Sequence, residues 1–245
     1  MTILFLLLAF VSELAGTLSG FGSSMFFVPL ALYLKPFELV LGLTGILHIF
    51  GNLSKIFLFK KISWPAFFRL TIFSLPLLIV GAFLSSYLKD GGFHLIIGLF
   101  LISAGLLFWF QLERSPKIAQ FPLWVGLFLS ALSGFLTGLI GTGGAFRGLA
   151  LLSFGLTRET FIATSAAIDL LGDLHRTGIY ISKDYVGRED LWVIALLIPI
   201  AFAGSWVGRK IIRKWSDAFF RKVVLLMIFA LGLMSLAQWG VKMMV

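Results

Sequence analysis

The chain has no cysteine among its 245 residues, which excludes disulfides, thiolate metal sites and thiol relays. Charge is scarce too: 13% of the residues are Asp, Glu, Lys or Arg, where a soluble domain carries roughly a quarter. The acidic side is the thinner one, with 11 Asp and Glu against 20 Lys and Arg and a formal net charge of +9. In a soluble protein that excess would suggest nucleic acid. Here the basic residues gather in short loops between apolar runs, the mark of membrane topology, so no nucleic-acid partner is expected. No soluble domain, long linker or low-complexity tail is visible. A signal peptide is not expected either: no Lys or Arg precedes Lys35 and no clear small-residue cleavage site is present. Residues 1–22 are therefore read as part of the mature protein.

What the chain does have is apolar length. It is 59% hydrophobic with a mean hydropathy of +1.03, and runs of about 20 apolar residues recur along it, so a polytopic helical membrane protein is expected, with the lipid bilayer as its first partner. The first run, 2–18, ends in a glycine break, Gly16-Thr-Leu-Ser-Gly20-Phe-Gly22-Ser23-Ser24. A short apolar segment follows to residue 34. Three longer spans come next, at 37–59, 64–88 and 92–111, and a linker at 113–120. The pattern then restarts: 121–140, a denser glycine break, a short segment 145–155, and spans at 157–182, 190–212 and 218–240.

The two halves match in residues as well as in lengths. Gly16 and Gly20 align with Gly134 and Gly138. The run His48-Ile-Phe-Gly51-Asn52-Leu-Ser-Lys55 aligns with Asp169-Leu-Leu-Gly172-Asp173-Leu-His-Arg176, and Pro76 with Gly81 aligns with Pro199 with Gly204. As one straight helix, the first 34 residues would span about 50 Å at 1.5 Å per residue, too long for a core of about 30 Å. A membrane hairpin turning at the glycines fits better. Each half is then a hairpin plus three spans, and an odd number of spans inverts the second half (hairpins 2–34 and 121–155).

Loop charge tests that topology. One side would hold Lys60, Lys61, Arg114, Lys117, Arg158, Arg209, Lys210, Arg213, Lys214, Arg221 and Lys222, against Lys35, Lys89, Lys183, Arg188 and Lys242 on the other. The split of eleven to five is sharper than the one a single crossing by residues 1–34 would give. By the positive-inside rule it places the linker 113–120 in the cytoplasm and both termini outside the cell (inner) membrane.

The breaks carry the candidate chemistry. Gly134 and Gly138 have the small-xxx-small spacing of close helix packing. Gly141-Thr142-Gly143-Gly144 is denser than packing requires, and each glycine weakens a helix by roughly 1 kcal/mol, so unwinding is expected there. A short helix starting at such a break, near the midplane, would aim its free N–H groups and its positive dipole end at an anion. Its mate at Gly20, Gly22, Ser23 and Ser24 would approach from the opposite face. Paired breaks of this kind are the best sequence pointer to a transporter's binding site.

Arg147, one turn into the second short helix, adds a charge. It either contacts the substrate or pairs with Asp169, Asp173 or Glu13. Thr44, His48, Asn52 and Lys55 form one helical stripe, which Ser165, Asp169, Asp173 and Arg176 repeat in the second half. Either the stripes line a substrate path or they lock the halves together, and Asp173 and Arg176 at i, i+3 can pair. Asp169, His48 and Glu13 are candidates to carry a coupling proton, since a carboxylate without a partner in a low dielectric favours its neutral form and histidine titrates near neutrality. Lys55, Asp173 and Arg176 would join them in coupling or gating. Mid-span Pro76 and Pro199 shape the bundle or act as hinges.

These motifs resemble the sulfite exporter TauE/SafE family of membrane permeases. The likeness rests on the repeated glycine break and its short apolar segment, with Phe27-Val28-Pro29-Leu30 in one copy and Gly141-Thr142-Gly143-Gly144 in the other. Ala163-Thr164-Ser165 and the Pro-then-Gly spacing of the next span add to it, so the likeness covers almost the whole chain. It implies a secondary transporter of a small sulfur-containing anion such as sulfite, thiosulfate or an organosulfonate, with export the expected direction. Arg147-Gly148, His48, Asp169 and Asp173 depart from the family pattern, which leaves room for a different substrate or coupling chemistry.

Taken together, the sequence leads to an all-α polytopic membrane protein of two inverted repeats, alternating access around a central site, and no cofactor or metal. A homodimer is left open. The alternatives are a passive anion channel and an intramembrane enzyme acting on a lipid phosphate, although the latter's paired glutamates and phosphate loop are not found.

Overall fold

The computed structural model describes residues 2–87 and 122–244, with single positions at 95, 98–99, 102–103 and 106. Apart from those positions, the expected span 92–111 and the linker 113–120 lie outside the described residues. Among the described residues there are nine α-helices and no strand. They are α1 (Thr2–Ser19), α2 (Ser24–Ala31), α3 (Phe37–Phe59), α4 (Trp64–Leu84), α5 (Leu123–Ile140), α6 (Gly144–Leu152), α7 (Arg158–Ser182), α8 (Leu191–Ile212) and α9 (Asp217–Met244). Single 3-10 turns extend α4 over Ser85–Tyr87 and precede α8 at Arg188–Asp190.

The helix limits follow from local chemistry. Prolines stand at the entries of α3 (Pro36) and α5 (Pro122), where a missing N–H costs nothing. The break between α1 and α2 needs φ of +75° at Gly20 and +92° at Gly22, and α5 ends on Gly141 at +77°. Side chains rarely adopt that region, so glycine is required at these corners. Pro76 and Pro199 lie inside continuous α4 and α8.

Among the described residues four stretches are long and apolar enough to cross a membrane: Phe37–Phe59, Trp64–Tyr87, Leu123–Ile140 and Arg188–Ile212. The outer face of the bundle is correspondingly apolar. Ile3, Leu7 and Val11 on α1, Phe68 and Ile72 on α4, Phe128 on α5 and Phe202 on α8 are all exposed. Helix α7 does not qualify by hydropathy because it carries Asp169, Asp173 and Arg176, yet all three are buried. At 25 residues it is about 37 Å long, long enough to span with its charges turned inward.

Packing is organised around α3 and α7, which cross the centre in opposite directions. Gly45 faces Thr177, and further along α3 Asn52 bonds Asp173, so residue numbers rise on one helix as they fall on the other. Beside them, α4 and α5 lie in contact and run the same way: Gly134 sits against the backbone of Ser74 and Gly138 against that of Leu78. The pair α1 and α8 does the same, with Gly204 against Glu13 and Gly208 against Thr17. The packed pairs come in mates: α4 with α5 and α1 with α8, α3 with α8 and α4 with α7, α1 with α2 and α5 with α6.

The glycine contacts set how close the helices come. A Cβ on Gly134 or on Gly138 would lie 2.0 Å from a carbonyl oxygen of α4, a distance that only backbone movement can relieve. Gly134→Val and Gly138→Val are each expected to destabilise the bundle by about 1–3 kcal/mol or more. Thermal melting of the detergent-purified variants checks this, and an unchanged midpoint would rule out the close approach of α4 and α5.

Candidate functional site

The interior at the level of the breaks is polar. Going along α3, the apolar residues Val40, Leu43 and Leu47 give way to His48, Asn52 and Lys55, and apolar packing resumes at Phe59. The polar stretch faces α7, where Asp169, Asp173 and Arg176 are buried opposite it.

Three ion pairs occupy this level. Glu13 of α1 and Lys55 of α3 are in direct contact and 0% and 2% exposed. Ser23 Oγ donates to Glu13 Oε2 at 2.5 Å and Ser205 Oγ to Oε1 at 3.1 Å. Gly51 leaves the space this carboxylate fills, since a Cβ there would overlap it. Arg147 of α6 pairs with Asp169 Oδ1; its Nε donates to Ser165 Oγ at 3.0 Å and its Nη2 to the Phe21 carbonyl at 2.8 Å. Asp173 receives Arg176 Nε at 2.7 Å and Asn52 Nδ2 at 2.8 Å, with His48 Nδ1 3.6 Å away. Two polar atoms of the cluster, His48 Nε2 and Arg176 Nη2, are buried without a hydrogen-bond partner.

The two breaks meet in direct packing. The carbonyl of Phe21, in the first break, lies against Gly144 at the start of α6, where a Cβ would be 1.8 Å from it, and the Phe21 ring covers Gly148. Gly22 faces the cluster: a Cβ on it would stand 3.2 Å from Asp169 Oδ2, 3.5 Å from His48 Cε1 and 3.7 Å from Arg147 Nη2. Among the other candidates, Thr44 Oγ1 donates to Val40 O within its own helix at 2.5 Å. Ser24 opens α2, Gly143 precedes α6, and both Ser24 and Thr142 are buried.

A narrow cleft of about 10 Å³, roughly the room of one water, reaches this cluster. Its walls come from α4 (Ser74, Leu78), α5 (Ser133, Thr137), α6 (Arg147) and α7 (Asp169, Gly172). Of the sequence-derived candidates, Arg147 and Asp169 line it. Gly20, Gly22, Ser23, Ser24, Gly141, Thr142, Gly143, Gly144, Thr44, His48, Asn52 and Ser165 are not among its walls. Ser133 and Thr137 were missed by sequence reasoning. They belong to a stripe, Ser130, Ser133 and Thr137, on the most apolar helix of the second half, and that period was a readable signal. Ser130 Oγ donates to Leu70 O at 2.9 Å and Ser133 Oγ to Gly143 O at 2.8 Å. Among the described residues no group of His, Asp and Glu is placed to hold a metal ion.

An apolar exterior around an interior whose described ionic groups are paired, with one pair on the wall of a cleft, defines a polytopic helical membrane protein. The chain belongs to the sulfite exporter TauE/SafE family, whose model matches residues 4–235. It is 22% identical over 264 aligned residues to "Probable membrane transporter protein YunE" of Bacillus subtilis (strain 168), an alignment covering 94% of this chain and 95% of that protein. No solved structure matches the chain. The protein is a membrane transporter.

Burial gives each ion pair a strong dependence on its partner. Removing one member of a buried pair typically costs about 3–5 kcal/mol, whereas removing both costs much less. Lys55→Met is therefore expected to destabilise the protein by about that amount, and adding Glu13→Gln should restore most of the loss. A double-mutant cycle read from melting or denaturant unfolding checks it, and additive effects would exclude the pairing.

Proposed function

We propose that the protein is a secondary transporter of a small sulfur-containing anion (sulfite, thiosulfate or an organosulfonate), working by alternating access. The observation that carries this reading is Arg147, a buried guanidinium on the wall of a cleft that also presents the hydroxyls of Ser74, Ser133 and Thr137. A planar guanidinium fits an oxyanion with two parallel hydrogen bonds, and the Thr137 hydroxyl supplies a further donor, that of Ser133 being given to the Gly143 carbonyl. The site stands beside the contact of the two breaks, where α6 begins, so its helix dipole adds to the positive field. Export is the proposed direction, in keeping with the family's name. Coupling to protons is proposed through Asp169 or His48, both within the same cluster.

The two halves, on this reading, enter the cell (inner) membrane inverted, with both termini outside. The opposed running of α3 and α7 supports inversion, because helices that are mates in the repeat cross with opposite sense. Two basic loops of the proposed cytoplasmic side, Lys60-Lys61 and Arg209 to Lys214, follow α3 and close α8. Their charge supports the orientation. Rocking of one half on the other would open the cleft to each side in turn.

Proteoliposomes loaded with sulfite, thiosulfate or methanesulfonate test the reading. Wild-type protein is expected to move at least one of them, and a pH gradient to drive it uphill. Strictly downhill flux would instead mark a passive channel. Arg147→Ala combined with Asp169→Asn, which leaves no unpaired charge, is expected to abolish saturable uptake while the melting midpoint stays near that of the wild type. Uptake with unchanged half-saturation in this pair variant would remove Arg147 from the site.

A further inference from the structure

Every buried charge in the described core already has a partner. Glu13 is matched by Lys55, Asp173 by Arg176 and Asp169 by Arg147, so the cluster is neutral with the cleft empty. Only the Arg147–Asp169 pair lines the cleft. Within it the Asp169 carboxylate lies where an arriving oxyanion would want to lie, on the guanidinium. Of the five N–H groups of Arg147, one each on Nη1, Nε and Nη2 goes to Asp169, Ser165 and the Phe21 carbonyl. An anion that takes the Nη1 position on Arg147 displaces Asp169 and leaves a second negative charge in a water-poor site, where it is poorly screened.

We propose that Asp169 is a built-in surrogate for the transported anion, released from Arg147 by taking up one proton each time an anion binds. This rests on the anion reading of the cleft and deepens it by naming the coupling group and its stoichiometry. The balance is simple. Before binding, Arg147 and Asp169 sum to zero. A monoanion and a proton enter from the same side, the proton adds to Asp169, the anion takes over the Arg147 hydrogen bonds, and the sum is again zero. On release to the other side the anion leaves, Asp169 gives up its proton to water, and the ion pair re-forms. One proton moves with each monovalent anion, in the same direction, and no net charge crosses.

The charged and titratable groups facing Asp169 are Arg147 from α6, His48 from α3, and Asp173 and Arg176 from its own helix; α4 and α5 present Ser74, Ser133 and Thr137. His48 is the rival proton carrier. It lies behind Gly22, is not part of the cleft wall, and does not touch Arg147 through any hydrogen bond. Its protonation would not free the guanidinium. Asp173 is held by both Arg176 and Asn52 away from Arg147.

The test uses the full chain and methanesulfonate, whose own charge is fixed between about pH 5 and pH 8. In the wild type the apparent affinity is expected to fall about tenfold per pH unit once Asp169 is ionised in the free protein. Liposome uptake should not respond to a clamped membrane potential. In Asp169→Asn, affinity should become independent of pH and uptake should follow the potential, because the anion now moves alone. His48→Gln should keep the wild-type slope and electroneutrality, and Asp169→Glu should keep both even if its affinity shifts. Wild-type binding without pH dependence, or a slope lost in His48→Gln and kept in Asp169→Asn, overturns the surrogate role alone. Failure of the wild type to bind or move methanesulfonate, sulfite or thiosulfate at any of these pH values overturns the anion reading and this inference with it. Should Asp169→Asn not fold, potential-driven uptake by the wild type is still decisive against the proposal.

Discussion

Six charged side chains buried at one level of an otherwise apolar bundle must be neutralised there, because the surrounding lipid cannot hydrate them and the exterior cannot expose them. Glu13, Lys55, Arg147, Asp169, Asp173 and Arg176 meet that demand in three pairs drawn from α1, α3, α6 and α7. Two hydrogen bonds of the same cluster, Asn52 to Asp173 and Arg147 to the Phe21 carbonyl, tie elements that the sequence separates widely. Helices α3 and α7 have to cross face to face at the centre, and the remaining helices cover them with an apolar outer surface.

The glycines serve that arrangement in two physical ways. Gly20, Gly22 and Gly141 adopt backbone angles that side chains avoid, which lets α1 and α5 end and the chain turn. Gly134, Gly138, Gly204 and Gly208 instead let neighbouring helices approach nearly backbone to backbone. The breaks themselves pack tightly, with Phe21 lying over Gly144 and Gly148. The cleft is therefore displaced from their meeting point toward α4 and α5. That displacement gives the hydroxyls of Ser133 and Thr137 a place on the wall and leaves Arg147 and Asp169 as the charged pair within reach of a solute.

The class of the protein and the two polar stripes were legible in the chain because each depends on local chemistry or on period. A run of about 20 apolar residues can only span, a glycine cluster can only break, and charges at i, i+4 share a face. Arg147 stood out as an oddity by the same logic. Partner choice was not legible: Asp169, Asp173 and Glu13 were all admissible for Arg147, since sequence separation says nothing about which helix lies opposite. Ser205, which braces Glu13 from α8, and Ser133 and Thr137 were passed over because a single hydroxyl in an apolar helix can always bond back to its own turn.

By itself, the sequence determined that this chain is a helical membrane protein with glycine breaks in its apolar runs and charges that must face inward. Hydrophobic length and backbone sterics are local constraints and admit few solutions. Only the tertiary structure decided which charges pair, that the breaks touch instead of enclosing a gap, and that the cleft reaches Arg147 with Asp169 already seated on it. Those outcomes depend on how close two helices come and how far a side chain reaches across them, and such distances exist only once the helices are packed.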